Sequence, residues 1–216
     1  MPAYAQRPAA SSVSRMISVV EVQDSPLRFL IFDCPTDSTI SLYLKEFHRY
    51  NVTDVVRVCE PTYSTAPLEA NGIQVHDLPF RDGAAPPVHI TKKWLALVEQ
   101  RYREGNQVTI AVHCVAGLGR ACVMVAVALI ELGMKPLDAI EYVRRYRRGA
   151  FNKKQIEYID NYKRITKGFK STPANGAGNS RTSSDISPPL GPTTFRNPFT
   201  RMFRARKAPP AALEAH

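Results

Sequence analysis

Only four cysteines occur in the 216 residues, Cys34, Cys59, Cys114 and Cys122, and no two of them form a Cys-x-x-Cys pair. That spacing excludes a disulfide-built scaffold and a zinc ribbon. Such sparing use fits a reducing, cytosolic setting, where a cysteine is kept for its chemistry. No apolar run approaches the roughly 18 residues that a membrane span requires, so an integral helical membrane protein is excluded. Residues 1–16 lack an apolar h-region, and no secretory signal peptide is expected. No internal repeat is present. Acidic residues are few beside basic ones, 19 against 29, which leaves a net charge of +10. What is there, 44% hydrophobic and 22% charged residues, is the composition of a folded soluble domain. The length accommodates one such domain and a tail.

Composition divides the chain near residue 168. Residues 168–216 hold seven Pro, four Gly, five Ser and five Thr with little apolar periodicity, and seven basic residues against two acidic. A segment of this kind cannot bury enough surface to offset its chain entropy and reads as a disordered basic tail. Residues 1–16, rich in Ala, Ser and Pro, read as a second disordered segment, and the folded domain spans residues 17–167. Within it, residues 17–22 and 27–32 suggest a hairpin, and residues 55–59, 73–78 and 108–112 suggest further strands. Helical spacing runs through residues 38–50, 90–104, 121–132, 136–146 and 152–166. The alternation predicts an α/β domain, a central and mainly parallel sheet flanked by helices.

The chemistry concentrates in residues 108–132. An unbroken apolar strand of the kind buried on both faces delivers His113 and Cys114 to its C-terminal end, where α/β sheets place ligands. Val115, Ala116, Gly117, Leu118 and Gly119 follow, and Arg120 opens an almost wholly apolar helix. The two glycines let backbone N–H groups turn inward as an anion-binding nest. A helix N-terminus adds partial positive charge behind it, and Arg120 can clasp two phosphoryl oxygens. A positive environment of this kind favours the thiolate form of Cys114, and a thiolate facing a cradled phosphate is a nucleophile for phosphoryl transfer. Displacing an alcohol or phenol also needs a proton donor. Asp82, in a Gly- and Pro-containing loop able to close over the site, is one candidate, and Asp77, in a strand-like run, is its less mobile rival.

The run from His113 to Ala121 resembles the catalytic loop of the phosphatases of regenerating liver, the protein tyrosine phosphatase type IVA family. The resemblance extends over about residues 27–162. It includes Val55-Val56-Arg57-Val58-Cys59-Glu60, Pro79-Phe80-Arg81-Asp82-Gly83 with Pro86-Pro87, and Arg147-Arg148-Gly149-Ala150-Phe151-Asn152. It implies a cysteine-phosphatase fold and a phosphocysteine intermediate. Cys114 would be the nucleophile, Arg120 and residues 115–119 the phosphate binders, and Asp82 the general acid, with no metal or organic cofactor. Arg81 stands where the family usually carries an acidic residue, and Cys122 where it usually carries proline. Ala121, shared with the family, takes the place of the hydroxyl residue found in most cysteine phosphatases, so phosphocysteine should form readily and hydrolyse slowly. The resemblance further implies a reversible Cys59–Cys114 disulfide. Cys34 reads only as a small residue before Pro35. Gln155 matches a position that orients the hydrolytic water in related enzymes, although a solvent-facing glutamine explains it equally well. His113 reads as ordering the loop rather than as a base.

The apolar loop, without the lysines that polyphosphoinositide phosphatases carry there, favours phosphoprotein substrates, phosphotyrosine first. Two other classes remain in view. One is a binding module that regulates a CBS-domain magnesium transporter, as the resemblance implies. The other is a rhodanese-like sulfur transferase, which gives Asp82 no role. Residues 135–167 carry ten basic and four acidic residues, chiefly a solvated helical face, with an acidic partner or an anionic membrane surface as the functional alternative. Nucleic acid is not expected, because no nucleic-acid motif accompanies the charge. The family ends in a prenylated Cys-a-a-X box. This chain reads Leu213-Glu214-Ala215-His216 there, so no prenyl anchor is expected. Phe195, Phe199, Met202 and Phe203, interleaved with arginines, offer at most a weak peripheral contact with an anionic membrane, and a soluble tail is the simpler reading.

Overall fold

A computed structural model of the chain describes Val13, residues 16–23 and residues 25–166, all within the unit Met1–Pro173. The expected tail, with its aromatic and basic cluster, lies outside the described residues. Of the leading segment only Val13 and Met16 are described. Val13 is buried among core side chains, and the Met16 carbonyl accepts from Arg147 Nη1 at 2.6 Å.

The five strands among the described residues are β1 (Ser18–Glu21), β2 (Leu27–Phe32), β3 (Val52–Arg57), β4 (Gln74–Asp77) and β5 (Val108–His113). They form one sheet in the order β1-β2-β5-β3-β4. Only the β1–β2 hairpin is antiparallel; β2, β3 and β4 all join the sheet in parallel register. The expected α/β fold with a mainly parallel sheet is therefore what the chain adopts. β5 lies at the centre with every residue buried, the apolar ones with Thr109 and His113 among them. Its C-terminal end opens between those of β2 and β3.

Among the described residues six helices accompany the sheet: α1 (Ile40–Arg49), α2 (Ala66–Glu69), α3 (Val88–Glu104), α4 (Arg120–Glu131), α5 (Pro136–Tyr146) and α6 (Lys153–Asp160). α4 is apolar all round between Arg120 and Glu131, and all twelve of its residues are buried; it packs on β2 and β5 and is enclosed by α3, α5 and α6. Each large apolar side chain buried there contributes roughly 1.5–3 kcal/mol. Trp94 of α3 donates from Nε1 to the Met124 carbonyl at 2.8 Å and sets its ring against Phe29. Gly105, left-handed at φ 71°, ends α3. Pro136 opens α5, and an Asn152–Gln155 capping box opens α6.

Three expectations change. β3 runs Val52–Arg57 instead of 55–59, so Cys59 lies beyond its end. The short helix α2 escapes the sequence pattern, because four residues are too few to show a period. The last helix stops at Asp160 instead of running to 166. Buried Glu131 explains the difference: its carboxylate accepts from Tyr162 Oη and the Ile165 backbone N–H, both at 2.8 Å, and from Thr166. Those bonds hold residues 162–166 in a non-helical course.

Candidate active site

His113 and Cys114 emerge at the end of β5 and Arg120 begins α4, so the six residues 114–119 form a loop between the central strand and the buried helix. Every carbonyl of that loop is claimed by the scaffold. The Cys114 oxygen lies 3.2 Å from His113 Nδ1, and the Val115 oxygen accepts from Cys34 N at 2.9 Å. Arg147 donates to the Ala116 and Gly117 oxygens, both at 3.1 Å. Phe151 N binds the Leu118 oxygen at 2.8 Å, and Val123 N binds the Gly119 oxygen at 3.0 Å. Because a trans peptide points its N–H opposite its C=O, carbonyls held outward turn the N–H groups of residues 115–120 toward the loop interior. That is an anion cradle at a helix N-terminus.

Gly117 is required by this geometry. Its φ is +66°, and a Cβ there would stand 2.4 Å from the Phe32 carbonyl oxygen. Cys122 has a role that the sequence alone did not suggest: its thiol donates to the Gly117 oxygen at 3.3 Å. Burial pushes that thiol up to about 12, so it stays protonated and serves as a donor. Arg147, whose guanidinium reaches across from the end of α5, is the residue that sequence reasoning placed in a motif without a function.

Arg120 is almost wholly buried. Its Nη1 donates to the Phe80 carbonyl at 3.1 Å and to the Val58 carbonyl at 3.3 Å, which orients the guanidinium across the cradle. Asp82 Oδ1 stands 3.0 Å from Arg120 Nε, an ion-pair contact without an aligned hydrogen bond. The Asp82 side chain is 79% exposed, and its loop is held over the site by Asn152 Nδ2 donating to the Gly83 carbonyl at 3.0 Å. Asp77, the rival acid, is committed elsewhere. Arg57 grips both of its oxygens, at 2.6 and 2.7 Å, and those bonds hold its carboxyl below the usual carboxylate range. Beside Asp82 a groove of about 460 Å³ is lined by Arg81, Asn152, Lys153 and Lys154.

His113 is fully buried, and burial pushes it down to about 4, so the ring is neutral at ordinary pH. Its Nε2 meets Tyr63 Oη at 2.8 Å. Gln155 corrects the reading of a solvent-facing side chain. It is 1% exposed, its Oε1 accepts from the Asn152 N–H at 3.1 Å, and its Nε2 has no hydrogen-bond partner among the described residues. That amide would lie only 3.1 Å from a Cβ placed on Gly119, so it borders the loop. Cys34 also departs from expectation. Its Sγ is 3.9 Å from Cys59 Sγ, and its thiol donates to Thr62 Oγ1 at 2.9 Å. All four cysteines are free thiols.

Among the described residues no helix is long and apolar enough to cross a membrane. Residues 34–134 match the family model described as "Polymorphic toxin system, DSP-PTPase phosphatase". The chain is 55% identical over 142 residues to a probable protein tyrosine phosphatase type IVA A of Dictyostelium discoideum, covering 66% of this chain and 86% of that protein. It is 51% identical over 144 residues to the human protein tyrosine phosphatase type IVA 3, covering 67% of this chain and 83% of that one. A solved putative protein tyrosine phosphatase from Leishmania major superposes with a TM-score of 0.64 at 39% identity, over 68% of this chain and 99% of that one. The cradle, the strand and helix that carry it, and this extent of identity have one reading: the chain belongs to the protein tyrosine phosphatase type IVA family.

Proposed function

We propose that this protein hydrolyses phosphotyrosine on proteins through a phosphocysteine intermediate that turns over slowly. The observation that carries this reading is the loop of residues 114–119, all of whose carbonyls are held outward beneath Arg120. Cys114 attacks phosphorus in line, and the charge on the three equatorial oxygens is met by the loop N–H groups and the Arg120 guanidinium. Asp82 gives its proton to the departing phenolic oxygen. In the second step water attacks the phosphocysteine, Asp82 takes its proton, and the Gln155 amide bordering the loop positions it. The basic groove beside Asp82 favours acidic flanking segments on the phosphoprotein. Oxidation would join Cys114 to Cys59 in the same reading, with Cys34 as a rival partner for Cys59.

Asp82→Asn is expected to slow phosphocysteine formation on phosphotyrosine peptides by about 10²–10⁴-fold, the usual worth of a general acid. An aryl phosphate with a good leaving group should lose far less. Equal losses on the two substrates would remove Asp82 as the acid.

Ala121 supplies no hydroxyl to steady the thiolate leaving phosphorus. Ala121→Ser is therefore expected to raise the steady-state rate about tenfold or more while leaving the initial burst rate unchanged. An unaltered steady state would show that thiolate departure is not what limits turnover.

A second reading has an observation in its favour: Val115 and Leu118 on the loop are 59% and 39% exposed. Such apolar side chains suit a protein partner, and the resemblance points to a CBS-domain magnesium transporter. A burst of one equivalent of phosphate followed by negligible turnover would select that role over the enzyme.

A further inference from the structure

Behind the catalytic loop the ends of β2, β3 and β5 bring three soft donors together. Cys34 lies two residues beyond β2, Cys59 two residues beyond β3, and His113 is the last residue of β5. Cys34 Sγ and Cys59 Sγ are 3.9 Å apart, Cys59 Sγ and His113 Nδ1 are 3.9 Å apart, and all three ligand atoms lie within 4.8 Å of one another. A tetrahedral zinc ion with Zn–S near 2.3 Å and Zn–N near 2.0–2.1 Å requires edges of about 3.8 Å between sulfurs and about 3.5 Å between sulfur and nitrogen. Two of the three edges already meet that within a few tenths of an ångström. Rotation of the half-buried Cys34 side chain can shorten the third.

We propose that Cys34 Sγ, Cys59 Sγ and His113 Nδ1 bind a thiophilic metal ion of the zinc(II) type, with the fourth position open to water on the Cys34 side. Two thiolates and an imidazole form a donor set that selects zinc over magnesium or calcium. Binding releases two thiol protons to solvent, and the two thiolate charges balance the dication, so the buried site becomes neutral. The second layer is also in place. Tyr63 Oη, 2.8 Å from His113 Nε2, receives the Nε2–H when Nδ1 becomes the ligand, which fixes tautomer and ring orientation. Coordination takes Nδ1 away from the Cys114 carbonyl, 3.2 Å distant and at the head of the catalytic loop. The site is therefore inhibitory and not part of the chemistry. That consequence rests on the proposed phosphatase function; the binding itself does not.

The test is anaerobic titration of the reduced full-length protein with cobalt(II), followed by displacement with zinc(II). Wild type and Cys114→Ser should both show the intense visible absorption of tetrahedral cobalt, saturating at one equivalent, with sulfur-to-cobalt charge transfer. Cys34→Ser and Cys59→Ser should each bind at least about tenfold more weakly and lose part of the charge-transfer band, and Tyr63→Phe should weaken binding about tenfold. Because Cys34 is half-buried, its serine variant keeps the test independent of folding, which the circular dichroism spectrum checks. Binding that survives Cys34→Ser and disappears in Cys114→Ser would place the metal on the nucleophile and overturn the proposal. So would a wild-type protein that takes up neither cobalt nor zinc at stoichiometric micromolar concentration. Both readouts are spectroscopic, so they stand whether or not the protein turns out to be a phosphatase.

Discussion

Cys114→Ser is expected to abolish turnover of a phosphotyrosine peptide, with a loss of at least about 10³-fold and no phosphoenzyme trapped on rapid quench. A serine hydroxyl in the same cradle has no general base beside it, since His113 is buried, neutral and turned to the Cys114 carbonyl and Tyr63. Arg120→Lys keeps the charge but loses the planar fork, and a loss of about 10²–10³-fold is expected. The lysine also cannot reproduce the paired bonds to the Val58 and Phe80 carbonyls, so the cation is no longer held over the loop. Unfolding transitions of both variants checked against wild type separate lost chemistry from lost fold. Turnover by Cys114→Ser within tenfold of wild type would end the assignment of the nucleophile.

The second large effect concerns stability. Arg101→Met is expected to destabilise the protein by about 3 kcal/mol or more at pH 7 in urea unfolding, because it takes the partner cation and two of four donors from a buried carboxylate. Asp54 is fully buried, one residue past a bulge in β3, and four donors converge on it. Arg101 Nε and Nη2 bind its oxygens at 2.7 and 2.9 Å, His76 Nε2 at 2.8 Å and Thr53 Oγ1 at 2.7 Å. Burial works against the charged form, but the bonds from His76, Arg101 and Thr53 outweigh it and hold Asp54 at about 2. A carboxyl in an unfolded chain titrates near 3.9. The stabilisation is thus fully present above about pH 4 and is lost as pH falls toward about 2. In Arg101→Met the Asp54 carboxyl, left with His76 and Thr53, gains by protonation, so the deficit relative to wild type should shrink on acidification. A loss below about 1 kcal/mol at pH 7 would show that the pair contributes nothing net, and a deficit independent of pH would show that the loss does not come from the charged carboxylate.

The candidate catalytic segment was legible in the sequence because its parts are contiguous. Apolar character from Val108 to Val112, glycines at 117 and 119, and an apolar run after Arg120 each report a local conformation, and together they spell strand, loop and helix. Burial of the apolar residues on both faces of β5 and on all sides of α4 follows from that same pattern, while the buried Thr109, His113, Arg120 and Glu131 do not. The β1–β2 hairpin and the parallel sheet followed from alternation of patterns, while the end of α6 shifted because Glu131 captured the chain beyond it.

Contacts between segments distant in sequence were decided by the tertiary structure. Arg147 reaches back 30 residues to Gly117, and Cys122 gives its thiol to that same carbonyl. Asp82 meets Arg120, while Asp77 is taken by Arg57. Cys34 and Cys59, 25 residues apart, come within 3.9 Å because β2 and β3 both flank β5. Composition and periodicity record how much of a residue is buried and in which local conformation. Which donor finds which acceptor depends on the order of the strands, and that order is settled only when the whole core closes.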